Sequence, residues 1–465
     1  MHIRVIFASL VVWAGSVAFG AEGTLTILHT NGLNGRFEQM IKAAALKKQI
    51  QQEVGQVVLV DAGNVLSPRE VDFVHAGNKP SATVDMMNQA GYDAWVLGKN
   101  ALSLPQRTLT DFLRSARFPV LGANIHQPQS GRMLFQVQPF TMGRSGGLRV
   151  GILGLTQGGS GVVAGDPVRA AQYFVPMLRR EVDVVVLLTH QAYDIDSTLA
   201  AEVPGIDAIV GTHTQGASVG RRVVNGVPIR QAGPYGEFVG RIDLEVSQAG
   251  VELKNAQLLP LDVSVGQTGD LQAALGEWML PVGGESLSVS AVLGTSAGGF
   301  GASVGQAGAL GYLLADLMRT TANVDVALVS ALSVDSELPE GPIRVMDLYR
   351  IYSPTHKIKI VSLKGEDLRS LMESGLDDLS AFFYPSGLSV VYDLARIKGK
   401  RLVSLATADK RPLNLQKTFR VAVESDLTRF EKGTPTGLVI RNLLANHIRK
   451  AGVIRGKLDD RLREP

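Results

Sequence analysis

The sequence predicts an α/β protein with two domains, a layered α/β sandwich followed by a second α/β domain. Short apolar, β-branched runs alternate with amphipathic segments, at the spacing of strands and helices that pack in layers. A glycine-rich stretch interrupts this alternation across residues 263–308, and the alternation resumes at Ala309. A chain of 465 residues is long enough for both domains, which we place at residues 22–262 and 309–465.

The first 21 residues have the composition of a secretory signal peptide. Arg4 precedes an apolar core over residues 5–17, and small residues follow at 18–21. The alternative is a buried first helix, but the apolar stretch is too short, and wrongly flanked, for a membrane span. We therefore expect cleavage near residue 21 and export, most simply into a bacterial periplasm.

The overall composition excludes several classes of protein. The content of 45% hydrophobic and 19% charged residues is ordinary for a globular protein. A net charge of +3, with scattered Lys and Arg, does not indicate nucleic-acid binding. Without any cysteine there can be no disulfide, thiolate metal site, thiol nucleophile or lipoprotein anchor. No later stretch is long and apolar enough to predict a membrane span.

The elements of the first domain follow from local patterns. Residues 24–30 form an apolar run that ends in a polar turn with two glycines, which predicts a strand entering a functional loop. Apolar residues at helical spacing predict helices over residues 37–54, 81–90 and 167–180. Buried apolar runs predict strands over residues 57–61, 92–98, 119–125, 148–155, 182–188 and 208–211. Residues 222–231 and 236–258 predict one β-hairpin that closes the domain near Leu261.

The second domain shows the same alternation. It predicts helices over residues 312–321, 345–349 and 366–374, with strands over 325–329 and 357–363. The connecting region at 263–308, with the tract LGTSAGGFGASVGQAG, is expected to be flexible in its glycine-rich part.

The loop after the first strand carries the most specific motif of the chain. Residues 24–38 read TLTILHTNGLNGRFE. This closely resembles the opening motif ILHTNDLHGRFE of the calcineurin-like metallophosphoesterases, in their 5'-nucleotidase and UDP-sugar hydrolase branch. In that family the Asp and the His of the motif hold a metal, and those two positions are Gly32 and Asn34 here. The resemblance continues through DAGN at 61–64, GKNALS at 98–103, LLTH at 187–190 and THTQ at 212–215.

The resemblance implies a four-layer metallophosphoesterase-like α/β sandwich with a two-metal centre, followed by a 5'-nucleotidase C-terminal domain. Of seven positions that match metal ligands of the family, only two keep the ligand residue type, His190 and His213. The family's catalytic His position is Asn100, and the position of the Asp that orients that His is Ser103. The seven matching positions are Gly32, Asn34, Asn64, Lys99, His190, His213 and Gln215.

These replacements change the chemistry. Asn64 is neutral and cannot bridge two divalent cations as a carboxylate does. The amide of Asn100 does not exchange a proton near neutral pH. Lys99 brings an ammonium group to a metal-ligand position. We therefore predict no catalytic residue and no cofactor, with one divalent metal held by His190 and His213 as the alternative.

The second domain departs from the family in a similar way. The resemblance aligns the family's nucleotide-binding Arg with Asp335, which reverses the charge at that position. Its PFxN stretch aligns with residues 353–356, where the aromatic is lost. Phe383 and Tyr384 then offer rings for base stacking, or else they pack between the domains.

Two functions follow for testing. The first is an exported 5'-nucleotidase-family protein that is non-catalytic and binds a small anion, a nucleotide or a periplasmic protein. The alternative is a metal-dependent 5'-nucleotidase or phosphoester hydrolase with a rebuilt or weakened site. An anion site is one form of the first function, if Lys99 points inward rather than to solvent. The candidate ligand-binding residues are Lys99, Asn100, Arg36, Asp335, Phe383 and Tyr384.

Overall fold

The computed structural model describes most of the chain beyond the predicted signal peptide. The described residues are 22–66, 81–128, 130–212, 222–262, 265, 269–300, 308–334, 338, 340–352, 356–378, 381–430, 432–457 and 460–464. Three candidate site residues, His213, Gln215 and Asp335, lie outside them, as does the whole predicted signal peptide.

The first domain is built on two sheets. Its described strands are β1 Gly23–Thr30, β2 Val57–Asp61, β3 Ala94–Val96, β4 Val120–Leu121, β5 Ile125–His126, β6 Val137–Gln138, β7 Phe140–Ser145, β8 Leu148–Thr156, β9 Val163–Ala164, β10 Val184–His190, β11 Ala208–Val210, β12 Arg222–Val224, β13 Val227–Arg230, β14 Phe238–Ser247 and β15 Gly250–Pro260. Its described helices are α1 Phe37–Val54, α2 Ala82–Ala90, α3 Lys99–Leu102, α4 Gln106–Ser115, α5 Pro167–Arg179 and α6 Tyr193–Glu202.

Strand polarity brings the functional loops to one edge. The seven-stranded sheet has the order β15-β14-β1-β2-β3-β4-β6, and the strands from β1 to β6 in this order run parallel. The six-stranded sheet has the order β12-β13-β11-β10-β8-β7, with β8, β10, β11 and β13 parallel. Ligand sites of α/β sheets lie outside the carboxyl ends of such strands.

The apolar core explains the layering. One cluster fills the space between the two sheets, with Ile27 and Val60 facing Val150 and Val186. A second lies under α5 and α6, and a third lies under α1, α2 and α4 on the other side. Full burial of each such side chain is worth about 1.5–3 kcal/mol. The predicted four-layer α/β sandwich is therefore confirmed.

The second domain is a mixed α/β unit around a five-stranded sheet of order β22-β19-β25-β21-β26. Its helices, with the helix that precedes it, are α7 Gly269–Gly276, α8 Ala309–Ala322, α9 Val345–Ile351, α10 Gly365–Asp377 and α11 Ile440–Ala451. The described strands from residue 279 onward are β16 Met279–Val282, β17 Glu285–Ser288, β18 Val292–Ser296, β19 Val326–Ser330, β20 Gly341–Arg344, β21 Lys357–Lys364, β22 Phe383–Ser386, β23 Leu388–Tyr392, β24 Leu402–Thr407, β25 Thr418–Glu424, β26 Thr434–Val439, β27 Val453–Ile454 and β28 Leu462–Arg463.

Two predicted features are corrected. The single hairpin expected across residues 222–258 is two hairpins in different sheets, β12 with β13 and β14 with β15. Asn225-Gly226 turns the first of them, with positive φ at both residues as a tight turn requires. The region expected to be a connection, residues 263–308, contains α7 and the strands β16, β17 and β18.

The two domains contact each other closely. Helix α7 packs against α1 and α2, and the Trp278 indole donates a hydrogen bond to Asp85 at 3.3 Å. Arg344, where β20 meets α9, pairs with Glu38 of α1 at 3.0 Å. One continuous apolar cluster includes residues from both sides of this contact. Among the helices that the structure describes, none combines the length and apolar character needed to cross a membrane.

Candidate functional site

The loops after β1 and β2 are joined by backbone hydrogen bonds. Gly32 N–H donates to the Gly63 carbonyl at 2.9 Å, and Asn34 N–H donates to the Asn64 carbonyl at 2.9 Å. Gly32, Asn34 and Asn64 have φ of +58°, +48° and +55°. Glycine and asparagine tolerate this left-handed conformation better than other residues. The replaced residues of these two motifs therefore suit the loop conformation.

Three asparagines interlock where the resemblance places metal ligands and the catalytic His. The Asn64 Oδ1 accepts the backbone N–H of Asn100 at 3.1 Å. The Asn100 Nδ2 donates to Asn34 Oδ1 at 3.0 Å and to the Leu66 carbonyl at 2.9 Å. We call Asn34, Asn64 and Asn100 the asparagine cluster. Its half-buried amide groups are engaged with one another and with the backbone.

We expect Asn100→Ala to destabilise the protein by about 1–3 kcal/mol, because Asn34 Oδ1 and the Leu66 carbonyl lose their donor. Chemical denaturation measures this change. The exposed Ser103, in the same motif, is the matched control, and Ser103→Ala is expected to change stability by less than about 0.5 kcal/mol. Equal stability of the two variants would contradict a role of the cluster in holding the loops together.

His190 ends β10 and is only 1% exposed. Its Nδ1 lies 3.0 Å from the Ala62 carbonyl. A carbonyl only accepts, so Nδ1 carries the proton. A Cβ at Gly63 would lie 2.4 Å from this nitrogen, and Gly63 has φ of +101°, so only glycine fits there. His190 therefore links the two sheets at the edge where the loops gather.

The described part of the site does not fit a two-metal centre. Amide groups that bind each other, a glycine and one imidazole are the groups at the ligand positions. Within the ranges that the structure describes, no three His, Asp or Glu side chains are grouped to hold a metal ion. Lys99 starts the four-residue helix α3 and is exposed. An anion on Lys99 stays a prediction.

Two buried carboxyl groups support the loops from below. Asp61 ends β2 and accepts hydrogen bonds from the Thr30 hydroxyl at 2.7 Å and from Gly63 N–H at 2.8 Å. Burial raises the pKa of Asp61 to about 7, and these hydrogen bonds oppose the rise. Asp196 on α6 is fully buried beside Thr189, and burial raises the pKa of its carboxyl to about 8. Apolar strand ends predicted the loops, but nothing local marked these two carboxyl groups as buried.

The predicted aromatic ligand contacts are corrected. Tyr384 is fully buried, with its ring edge-on to Tyr312 and Phe382 at centroid distances of 5.4 and 5.3 Å. Phe383 is 3% exposed and packs on Phe430 at 6.2 Å. Neither ring is available for stacking on a base, because both fill the core of the second domain. The alternative of packing between the domains is equally wrong.

A buried carboxylate in the second domain was not found from the sequence. Glu424 ends β25, is fully buried, and accepts the Ser330 N–H at 2.9 Å and the Tyr352 hydroxyl. Burial raises the pKa of Glu424, against hydrogen bonds from Ser333, Tyr352 and Ser330. It thereby ties the loop after β19 to the end of α9.

Arg36 and Arg350 meet where α9 of the second domain contacts the loop after β1. Arg350 Nη2 lies 3.4 Å from the Gly35 carbonyl, and its Nη1 donates to Asp347 at 3.1 Å. The guanidinium carbon of Arg36 lies 4.5 Å from the centre of the Tyr235 ring. Arg36 was a candidate ligand-binding residue, and its neighbour Arg350 was not identified from the sequence.

The four-layer sandwich, the loops at its strand ends and the second α/β domain define the class: a two-domain protein of the metallophosphoesterase fold. The family model of the 5'-nucleotidase C-terminal domain matches residues 292–433. The chain is 24% identical to the trifunctional nucleotide phosphoesterase YfkN of Bacillus subtilis, over 95% of this chain and 35% of that protein. It thus spans about a third of that relative.

The chain is also 24% identical to the 5'-nucleotidase of Bos taurus, over 91% of this chain and 86% of that one. The crystal structure of a 5'-nucleotidase precursor from Thermus thermophilus has the same fold, with a TM-score of 0.64 and 24% identity. That match covers 95% of this chain and 99% of the other. The chain belongs to the 5'-nucleotidase family.

Proposed function

We propose that this protein is an exported member of the 5'-nucleotidase family that binds a ligand without hydrolysing phosphoesters. The ligand is a small anion, a nucleotide or a periplasmic protein. The asparagine cluster is the observation that carries the proposal. The composition of residues 1–21 supports export.

Two-metal hydrolysis needs ligands that hold cations about 4 Å apart and generate a hydroxide nucleophile. Asn34 and Asn64 supply neutral amide oxygens that already accept hydrogen bonds from Asn100. A cation at this place would have to break those bonds and would gain no carboxylate in return. Proton transfer to a leaving group also lacks a residue, because an amide stands at position 100.

A second candidate function is metal-dependent hydrolysis of nucleotides, and one observation favours it. The Nδ1 proton of His190 is held by the Ala62 carbonyl. A backbone carbonyl that fixes the tautomer in this way is common behind metal-binding histidines. The names of the relatives, a nucleotide phosphoesterase and a 5'-nucleotidase, point in the same direction.

Metal content and hydrolysis, measured on the same preparation, separate the two candidates. We expect far less than one equivalent of metal by elemental mass spectrometry. We also expect no release of phosphate from AMP when Mn²⁺, Co²⁺ or Zn²⁺ is added, because no described group of ligands fits a metal. Bovine 5'-nucleotidase assayed in parallel validates the conditions.

One equivalent of metal together with metal-dependent turnover would overturn the proposal. His190→Ala would then identify the centre, because loss of both metal and turnover in that variant assigns His190 as a ligand. Turnover that survives in His190→Ala would assign the activity to a contaminating enzyme, which leaves the proposal standing.

A further inference from the structure

Three arginines surround the contact between α9 and the loop after β1, and two of them are accounted for. Arg344 donates to Glu38 at 3.0 Å and to the Ser290 carbonyl at 2.7 Å. Arg350 donates to Asp347 and to the Gly35 carbonyl. Each of these two arginines therefore has one carboxylate and one carbonyl as acceptors.

Arg36 is the arginine left over. Within the described ranges its guanidinium makes no hydrogen bond and no ion pair, and it lies only against the face of the Tyr235 ring. Its burial, and then the charge of Arg350, lower the pKa of Arg36, while Tyr235, Asp347 and Glu237 act weakly in the opposite direction. The Nε of Arg350 is likewise buried with no hydrogen-bond acceptor in the structure.

A half-buried guanidinium without an acceptor is costly, because it has lost water and gained no hydrogen bond in exchange. A like charge beside it adds to the cost. An anion with two or more oxygens removes both penalties at once. The five donors of an arginine match a phosphate or a carboxylate in a fixed fork, and their charge makes the hydrogen bonds strong.

We infer that Arg36 and Arg350 form a binding site for a small oxyanion, a phosphate ester or a carboxylate, at the contact between the two domains. This inference rests on the proposed ligand-binding function and names its ligand class and residues. Tyr235 is 40% exposed, so the site has an open side toward solvent. The neighbouring carboxylates are Asp347, which is paired with Arg350, and the exposed Glu237. One positive charge therefore remains for the ligand.

Calorimetric titration in EDTA tests the inference with two probes, inorganic phosphate and succinate, at matched ionic strength. We expect Arg36→Gln to weaken binding of the preferred probe by about tenfold or more, because a charge-assisted hydrogen bond is lost. Arg36→Lys keeps the charge without the fork and is expected to weaken binding less. The tighter of the two probes assigns the ligand as phosphate-like or carboxylate-like.

Two control variants show whether a change in binding is specific to Arg36. Arg344→Gln removes the same charge and an ion pair between the domains, and it is expected to bind the probe as the wild type does. Lys99→Gln tests the other cation of the candidate site with the same expectation. Circular dichroism confirms that each variant is folded before titration.

No binding of either probe by the wild type would overturn the inference, and so would unchanged binding by folded Arg36→Gln. Loss of binding in Lys99→Gln alone would also overturn it, by moving the site to α3. Because EDTA removes any metal, these outcomes do not depend on the hydrolysis assay. Metal-dependent turnover contradicts the proposed function, whereas absent binding contradicts only the oxyanion site.

Discussion

Asp196→Asn is expected to stabilise the folded protein by about 3 kcal/mol or more at pH 8 and to flatten the dependence of stability on pH. The Asp196 carboxyl is fully buried, and within the described residues its one polar neighbour is Thr189. Burial raises the pKa of Asp196 from 3.8 to about 8. The folded state therefore holds a proton over a pH range in which the unfolded chain has lost it.

The sign follows from proton linkage. Below pH 4 both states are protonated at this position, and the buried carboxyl costs nothing electrostatic. Between pH 4 and 8 only the unfolded state ionises, so the free energy of unfolding falls by about 1.4 kcal/mol per pH unit. Above pH 8 the loss is complete. Asn has the same shape and no ionisation, and it avoids the loss.

Urea denaturation at several pH values between 4 and 9 measures the effect. Asp194→Asn is the matched control, since Asp194 is exposed on the same helix. We expect that variant to change stability by less than about 0.5 kcal/mol at every pH. Asp61, whose pKa is raised to about 7, gives a shallower slope of the same sign that remains in Asp196→Asn. Lower stability of Asp196→Asn throughout would show that the wild-type carboxylate is ionised and paired.

Elements with a complete local signal could be predicted closely from the sequence. The helix predicted over residues 37–54 and the strand over 57–61 have those bounds in the structure. Both combine a strong apolar pattern with turn residues at their ends. The strand predicted over 119–125 is two strands of two residues, Val120–Leu121 and Ile125–His126. Gly122 interrupts it, because a Cβ there would lie 2.8 Å from the Ile125 side chain.

The candidate site could be predicted only as a set of positions. Each motif located its residue in a loop, but no local pattern encodes the bond from Asn100 to Asn34, which are 66 positions apart. The pairing of Arg350 with the Gly35 carbonyl spans 315 positions. Such contacts follow from how the two domains pack, which depends on the whole core. The same reasoning explains why the buried Glu424 and the packed rings of Phe383 and Tyr384 were missed.

Glu424→Ala is expected to destabilise the protein by roughly 3 kcal/mol or more, since the Tyr352 hydroxyl, the Ser330 N–H and the Ser333 hydroxyl lose their common acceptor. Each buried donor left without an acceptor costs about 1–3 kcal/mol. Tyr352 is the residue at which α9 ends, so its release also loosens the helix that carries Arg350. Chemical denaturation measures the loss, and amide hydrogen exchange shows whether α9 loses protection first.

Glu424→Gln is the matched variant, because the amide has the size of the carboxyl and keeps one acceptor oxygen for the Ser330 N–H. Its NH₂ group donates to the oxygen of the Tyr352 hydroxyl, which both donates and accepts. We expect this variant to lose less than about 1.5 kcal/mol, since only one neutral hydrogen bond is exchanged. Equal losses in the two variants would show that the negative charge of Glu424, rather than its hydrogen bonds, holds the loop after β19 to the end of α9.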